Sequence, residues 1–414
     1  MTYPAAVRRR GLIILLVVNF LMWFGFSLVI PLISLHYVGG LGFAAATVGA
    51  ALALRQLVQQ GASLVGGVLG DRLGARELIF AGVVLRVVGL LFLAYADTPT
   101  KLYVAMLLSA LGGALFEAPM KAAMTALTSE DERARFYSLL GVSSGLGMTG
   151  GPFIGAFLLS FSFTVVSLIS AACFALIALV TLLLPRVTTA VEGQRLTYGL
   201  QLVFRDRTFL LFTLFLMGHW YMWVQLNISL PLVGQRFADA ADAVRLIYGL
   251  NAVMTVLFQV PLISLVEKHF APLTLLVGGI AIMALGIGLV AFTGSLVGLV
   301  LCVVIFTIGT LLANPTQQSV AAGLADQRAL GSYFAINSLA VAIGGGLGNY
   351  SGGWLVDLSS RLQQPALPWL VFAVIGGSSM VGMLWLSLRL RRDRQYDRLT
   401  FAPRQQPSLV AGGD

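Results

Sequence analysis

Apolar residues run along this chain in long blocks, separated by short clusters of charge, glycine and proline. Dividing the sequence at those clusters gives twelve blocks, roughly 11–36, 45–70, 77–96, 101–126, 134–160, 163–184, 208–235, 243–266, 271–293, 296–323, 330–357 and 366–388. A helix needs about 20 mostly apolar residues to cross a bilayer, and each block reaches that length. Backbone groups cannot stay unpaired in hydrocarbon, so the blocks are predicted to be helices. None shows the ten-residue alternation of barrel strands. The expectation is an all-α polytopic membrane protein with 12 transmembrane helices.

Composition supports that class. Hydrophobic residues make up 58% of the 414 and charged residues 10%, against roughly 25% charged in soluble domains. Mean hydropathy is +0.90. The net charge of +9 therefore has to be read by position, since too little soluble surface remains for a nucleic-acid partner. The apolar run behind Arg8, Arg9 and Arg10 continues to about Tyr37. It exceeds the roughly 7–15 residues of a secretory h-region and reads as an uncleaved first span.

Lys and Arg set the orientation. With the N-terminus in the cytoplasm, most bases fall on the N-terminal arm, the even-to-odd loops and the C-terminal tail. Only Lys101, Arg236, Arg245 and Arg361 fall on the opposite loops. Both termini are expected inside, in the bacterial inner (plasma) membrane. The connection from Pro185 to Arg207 carries four arginines and splits the blocks evenly. The expected organisation is a six-helix bundle over 1–185, a cytoplasmic linker over 186–207, a second bundle over 208–388 and a basic tail over 389–414. Within the linker, Leu196 to Phe204 is expected as a short helix on the membrane surface, and the tail is expected to touch anionic lipid.

The two halves repeat each other. Met22-Trp23 and Pro31-Leu32 recur as Met222-Trp223 and Pro231-Leu232, and Asp71-Arg72 recurs as Glu267-Lys268. Gly113, Leu115 and Pro119 recur as Gly309, Leu311 and Pro315, while Gly147, Gly151 and Gly155 recur as Gly344, Gly348 and Gly352. The offset stays between 196 and 200. The bundles are therefore expected to be pseudo-symmetric.

Between the second and third blocks lies a polar island, Gly66 to Glu77, read as a turn because Gly70 and Gly74 tolerate unusual backbone angles. Its Gly67-x-Leu69-x-Asp71-Arg72-x-Gly74-x-Arg76 resembles the signature of the major facilitator superfamily. In the fifth block, Gly147-x-x-x-Gly151-Pro152-x-x-Gly155 resembles the motif of that family's drug:proton antiporter branch, with Ala156 where a second Gly is usual. Further resemblance to multidrug efflux members lies in Leu54-Arg55-Gln56 through Gln60-Gly61, Glu267-Lys268-His269-Phe270, Gly331-Ser332-Tyr333 and Gly352-Gly353-Trp354-Leu355. The resemblance implies the major facilitator fold, with Asp71, Arg72 and Arg76 latching the halves on the cytoplasmic side. The branch's usual arginine in span four is missing, since Leu108 and Ser109 occupy the candidate positions.

Charges inside spans carry the sharpest chemistry. Each costs about 2.5–3.5 kcal/mol on insertion scales, so Arg55, Arg86, Glu117 and Lys121 should face a cavity or a partner. Glu117 and Lys121 stand four apart, within pairing reach on one helix face, and a structural ion pair is the plain alternative to function. The functional reading gives Glu117 the transported proton, because a carboxylate whose surroundings alternate can load and release one. The span-five glycines form a smooth stripe for close helix approach. Their functional reading is a seam where the halves slide or seal, and Gly151→Leu is then expected to stop transport in a folded protein. Ordinary helix packing is the alternative. Asn19, Trp23, Gln59, Phe116, Trp220, Trp223, Gln225, Asn227, Asn314 and Gln318 are candidates for lining the substrate path, or else pack and meet lipid.

No metal or cofactor is expected. Cys173 and Cys302 lack CxxC or histidine neighbours, the three histidines lack ligand spacing, and there is no GxxxxGK[ST]. The expected function is proton-coupled secondary export of small amphipathic organic compounds, by a monomer whose partners are substrate, proton and lipid. An importer or facilitator of a metabolite is the alternative. A membrane enzyme or receptor is remote, as no catalytic set or sizeable soluble segment is present.

Overall fold

The computed structural model describes residues 4–128, 130–185, 196–326 and 329–392. Linker residues 186–195 and the basic tail from 393 onward, expected to touch lipid, lie outside the described residues. Six long helices form the first half: α1 (Ala5–Ser34), α2 (Ala45–Leu73), α3 (Ala75–Ala94), α4 (Pro99–Leu127), α5 (Glu130–Leu159) and α6 (Phe163–Thr181). The short α7 (Leu196–Arg205) leads to α8 (Arg207–Trp223), α9 (Ser229–Gly234), α10 (Ala240–Val266), α11 (Pro272–Leu289), α12 (Leu296–Leu324), α13 (Leu330–Leu339), α14 (Gly345–Leu362) and α15 (Leu367–Arg392). Among the described residues, ten stretches are long and apolar enough to cross a membrane; α2 and the α13–α14 run are long as well but richer in polar residues and glycine. This is a multi-pass membrane protein.

Helix starts follow local chemistry. The Thr98 and Ser295 hydroxyls accept from the backbone N–H groups of Lys101 and Gly298, and the Asp206 carboxylate accepts from Phe209 N–H at 3.0 Å. Each satisfies a donor that the first turn leaves unpaired. Asp206 also accepts from the Tyr333 hydroxyl at 3.0 Å, tying the start of α8 to α13.

One apolar core is built by α1 to α6, from Ile14 to Leu184, with Ile228 joining it; a second runs from Val203 to Leu390. The repeat seen in the sequence reappears in the packing one residue out of register, with Gly112 rather than Gly113 in the place of Gly309. Gly82 and Gly112 let α3 and α4 touch backbone to backbone, and Gly279 and Gly309 do the same for α11 and α12.

Three expectations need correction. The polar island is not a turn of a dozen residues: α2 runs to Leu73, α3 starts at Ala75, and Gly74 alone (φ 92°, ψ 141°) makes the break. The helix continues because only Gly74 needs a backbone conformation that L side chains resist. The seventh span is interrupted, passing from α8 through a 3-10 turn at Val224–Leu226 to α9. The eleventh is wound wider at a π-helical segment, Ala340–Gly344, between α13 and α14. The linker helix forms as expected, as α7, and packs on α13 and α8.

Candidate functional site

The buried charges of the first bundle meet around one amide. Arg55 and Gln59 lie one turn apart on α2, Arg86 comes from α3 and Glu117 from α4. Gln59 Oε1 accepts from Arg55 Nη1 and from Arg86 Nη2, both at 3.1 Å, and Gln59 Nε2 donates to Glu117 Oε1 at 2.6 Å. The carboxylate and the guanidiniums therefore communicate through a neutral group. Arg55 also donates to Gln56 Oε1 at 3.2 Å. Its guanidinium lies 5.0 Å from the Phe26 ring centre, and that of Arg86 lies 5.2 Å from Phe174. Such contacts stabilise a cation most where water is excluded. Both arginines line a small cavity with room for water. Glu117 is half-buried, and Lys121, one turn further along α4, is exposed.

The glycine stripe of α5 faces α1 of its own bundle. A Cβ at Gly147 would lie 2.8 Å from Phe20 O, and one at Gly151 would lie 2.8 Å from Phe24 O. Ser27 Oγ bridges the two helices by donating to Gly147 O at 2.9 Å. Gly344, Gly348 and Gly352 pack in the same way against the seventh span, at Met217 and Tyr221 of α8 and at Gln225 in the 3-10 turn that follows. In this conformation the stripes join helices within a bundle and do not form the seam between halves. Pro152 lies on α5 within its stripe. Of the signature residues between α2 and α3, Gly67, Asp71 and Arg72 have side-chain positions outside the described residues, while Gly74 makes the break and Arg76 is half-buried in the first turn of α3.

Several path candidates turn out to be structural ties. Asn19 donates to Leu140 O at 3.0 Å and to Ser144 Oγ at 2.9 Å, holding α1 to α5. Gln225 is fully buried, donating to Tyr221 O and Gly348 O and accepting from Ser229 Oγ. Phe116 belongs to the first core, and Gln59 to the charge cluster. Asn227 Oδ1 accepts from Tyr248 Oη at 2.9 Å. Trp23 is half-buried, Gln318 is exposed, and Trp220 and Trp223 stand edge to face at 5.5 Å, half-buried at the surface of the second core. Asn314 Oδ1 pairs with Nε2 of the fully buried His219 at 3.1 Å. The sequence signal for this pairing is faint: two polar residues 95 positions apart.

One residue passed over in the sequence holds the halves together. Asp357 of α14 accepts from Ala45 N–H at 3.0 Å and Ala46 N–H at 2.7 Å, so an acid of the second half caps the start of α2 in the first. Nearby, Ser34 Oγ donates to Asn227 O at 3.0 Å, and Phe153 of α5 packs on Gly249 of α10. A Cβ at Gly49 would run into Asn349 O, so α2 and α14 lie in direct backbone contact. All these contacts gather toward the end that carries the α1–α2 and α14–α15 connections. Toward the other end, Gly61 of α2 and Gly141 and Gly145 of α5 face open space.

Helices paired in two repeated bundles, buried intramembrane charges in one of them, and contact between the halves concentrated at one end define a membrane transporter of small molecules. The chain belongs to the Major Facilitator Superfamily, whose family model matches residues 15–349 and, in a second match, 226–412. It is 38% identical over 392 residues to the Multidrug resistance protein MdtH of Yersinia pestis (strain Pestoides F), covering 94% of this chain and 98% of that one. The same values hold for the MdtH of Yersinia pseudotuberculosis serotype O:1b (strain IP 31758). Among solved structures, a POT family transporter in complex with a thioalcohol conjugated peptide superposes with a TM-score of 0.76 at 19% identity, covering 93% of this chain and 96% of that one. The nucleoside transporter NupG gives 0.71 at 16% identity, covering 93% and 99%. These last two share the fold alone.

Proposed function

We propose that the protein is a multidrug efflux transporter that exports small amphipathic organic compounds in exchange for protons. The likeness to MdtH over nearly the whole chain supports the substrate class. The observation that carries the coupling is Glu117, a half-buried carboxylate inside a span, hydrogen-bonded through Gln59 to two arginines on neighbouring helices. Changes in the packing of α2 against α4 alter how closely the positive charges approach Glu117, and that is how conformation loads and unloads a proton. The two bundles, 1–185 and 208–388, are the moving units, joined by the 186–207 linker. The chain works as a monomer in the bacterial inner membrane, with both termini in the cytoplasm and the basic tail against lipid headgroups. In that orientation the Asp357 end is the outer end, and the open faces of Gly61, Gly141 and Gly145 belong to an inward-facing state. Asp71, Arg72 and Arg76 latch the opposite, cytoplasmic end when the transporter turns outward.

The test is accumulation of a compound panel in cells lacking their major pumps, with and without a proton uncoupler. Glu117→Gln is expected to abolish efflux driven by a pH gradient while substrate binding to the purified protein persists. Unchanged coupling in that variant would refute the role of Glu117. A panel in which no compound responds to expression would turn the reading toward a dedicated metabolite carrier.

A further inference from the structure

We propose that the cavity between Arg55 and Arg86 binds a small monovalent inorganic anion, with chloride as the ligand. The inference stands apart from the export reading, since it concerns binding inside the first bundle. Arg55 is 6% exposed and Arg86 is 4% exposed. These two guanidiniums share a single neutral acceptor, Gln59 Oε1. Glu117 meets the same amide from its other side, through Gln59 Nε2. The cluster thus holds two cations against one half-buried anion. In low dielectric an uncompensated positive charge is costly, and a second anion relieves it.

The site is also short of acceptors. Arg55 Nε and Arg86 Nε are both buried and have no hydrogen-bond partner among the described residues, which for a charged donor forgoes much of the stabilisation a partner would supply. Both side chains line a cavity with room for one small guest. Its wall adds Ser109 from α4 and the rings of Phe26 and Phe174, with the rest from α1, α3 and α4. A halide is little larger than water and accepts several N–H donors from any direction, so it fits where an organic substrate does not. The lining comes from α1, α2, α3, α4 and α6, all within one bundle. The anion is therefore a resident counter-ion of the arginine pair, not a substrate on the transport path.

The experiment uses the full chain purified in detergent, melted in sodium chloride, bromide, acetate or gluconate at constant ionic strength. Chloride and bromide are expected to raise the melting temperature saturably over gluconate. Arg86→Gln is expected to weaken the chloride affinity at least about tenfold, the loss of one charge-assisted hydrogen bond. Identical melting in chloride and gluconate would overturn the proposal, as would an undiminished chloride response in Arg86→Gln. A response to acetate without one to chloride would overturn it too, because the arginines would then be reading a carboxylate from the transport path. Crystals of the wild-type protein grown in bromide decide the matter independently of any variant. Anomalous density between Arg55 and Arg86 supports the site, and its absence there counts against it.

Discussion

At the scale of single residues, position along a helix determined which glycines matter. Gly150 and Gly151 are neighbours, yet a Cβ at Gly150 meets Phe24 at an ordinary 3.7 Å while one at Gly151 comes within 2.8 Å of Phe24 O and runs into Ser27 Oγ. Gly151→Ala is therefore expected to destabilise the first bundle by about 1–3 kcal/mol, and Gly150→Ala to have little effect. Melting of the two purified variants checks this, and equal stability would contradict the packing described. For Gly151→Leu the structure also reverses the sequence-based expectation of a folded but inactive protein, because so large a side chain would part α1 from α5. The stripe was legible in the sequence from its spacing of four, but its direction was not, since packing within a bundle and sliding between bundles need the same small residues. Arg55, Arg86 and Glu117 were legible as costly charges. Their meeting through Gln59 depends on how α2, α3 and α4 are rotated, and apolar blocks carry little record of rotation.

At the scale of elements, the helices were legible because each block is long, apolar and bounded by charge or turn residues. Their internal breaks were not. The unwinding at Val224–Leu226 and the widened turn at Ala340–Gly344 lie inside apolar runs, where no charge or proline marks them. The opposite error occurred between α2 and α3, where charge suggested a loop and the helix simply continued. Gly74 is the one residue that separates these helices, at φ 92°. Gly74→Ala places a Cβ in a backbone region that costs on the order of 1–3 kcal/mol, and that Cβ also meets Glu77 Oε2 at 2.8 Å. The expected outcome is a lower melting temperature with reduced transport. A variant as stable and active as wild type would mean that α2 and α3 can join without this turn.

At the scale of the whole molecule, the twofold repeat was readable from constant offsets and reappears as paired glycine contacts in each half. The contacts between halves were less readable, because the key acid sits near a span end where charges are common. Replacing Asp357 by Asn removes the negative charge at the start of α2 and one of its two acceptors, a loss of roughly 1.5–3 kcal/mol from the end that Asp357 holds closed. A cysteine at the fully buried Ser34, in a chain without Cys173 and Cys302, is then expected to react about tenfold faster with an impermeant maleimide added outside. An unchanged rate would mean that other contacts hold that end shut. Asp357 grips the same helix that carries Arg55 and Gln59 and ends at Gly74. With a rise of 1.5 Å per residue, a tilt of about 10° pivoting at Arg55 would carry Ala45 by about 3 Å and Leu73 by about 5 Å in the opposite direction. The first displacement is enough to part the Asp357 hydrogen bonds. In mechanical terms α2 would then be a lever with its fulcrum at the arginine cluster, its two ends swinging in opposite directions.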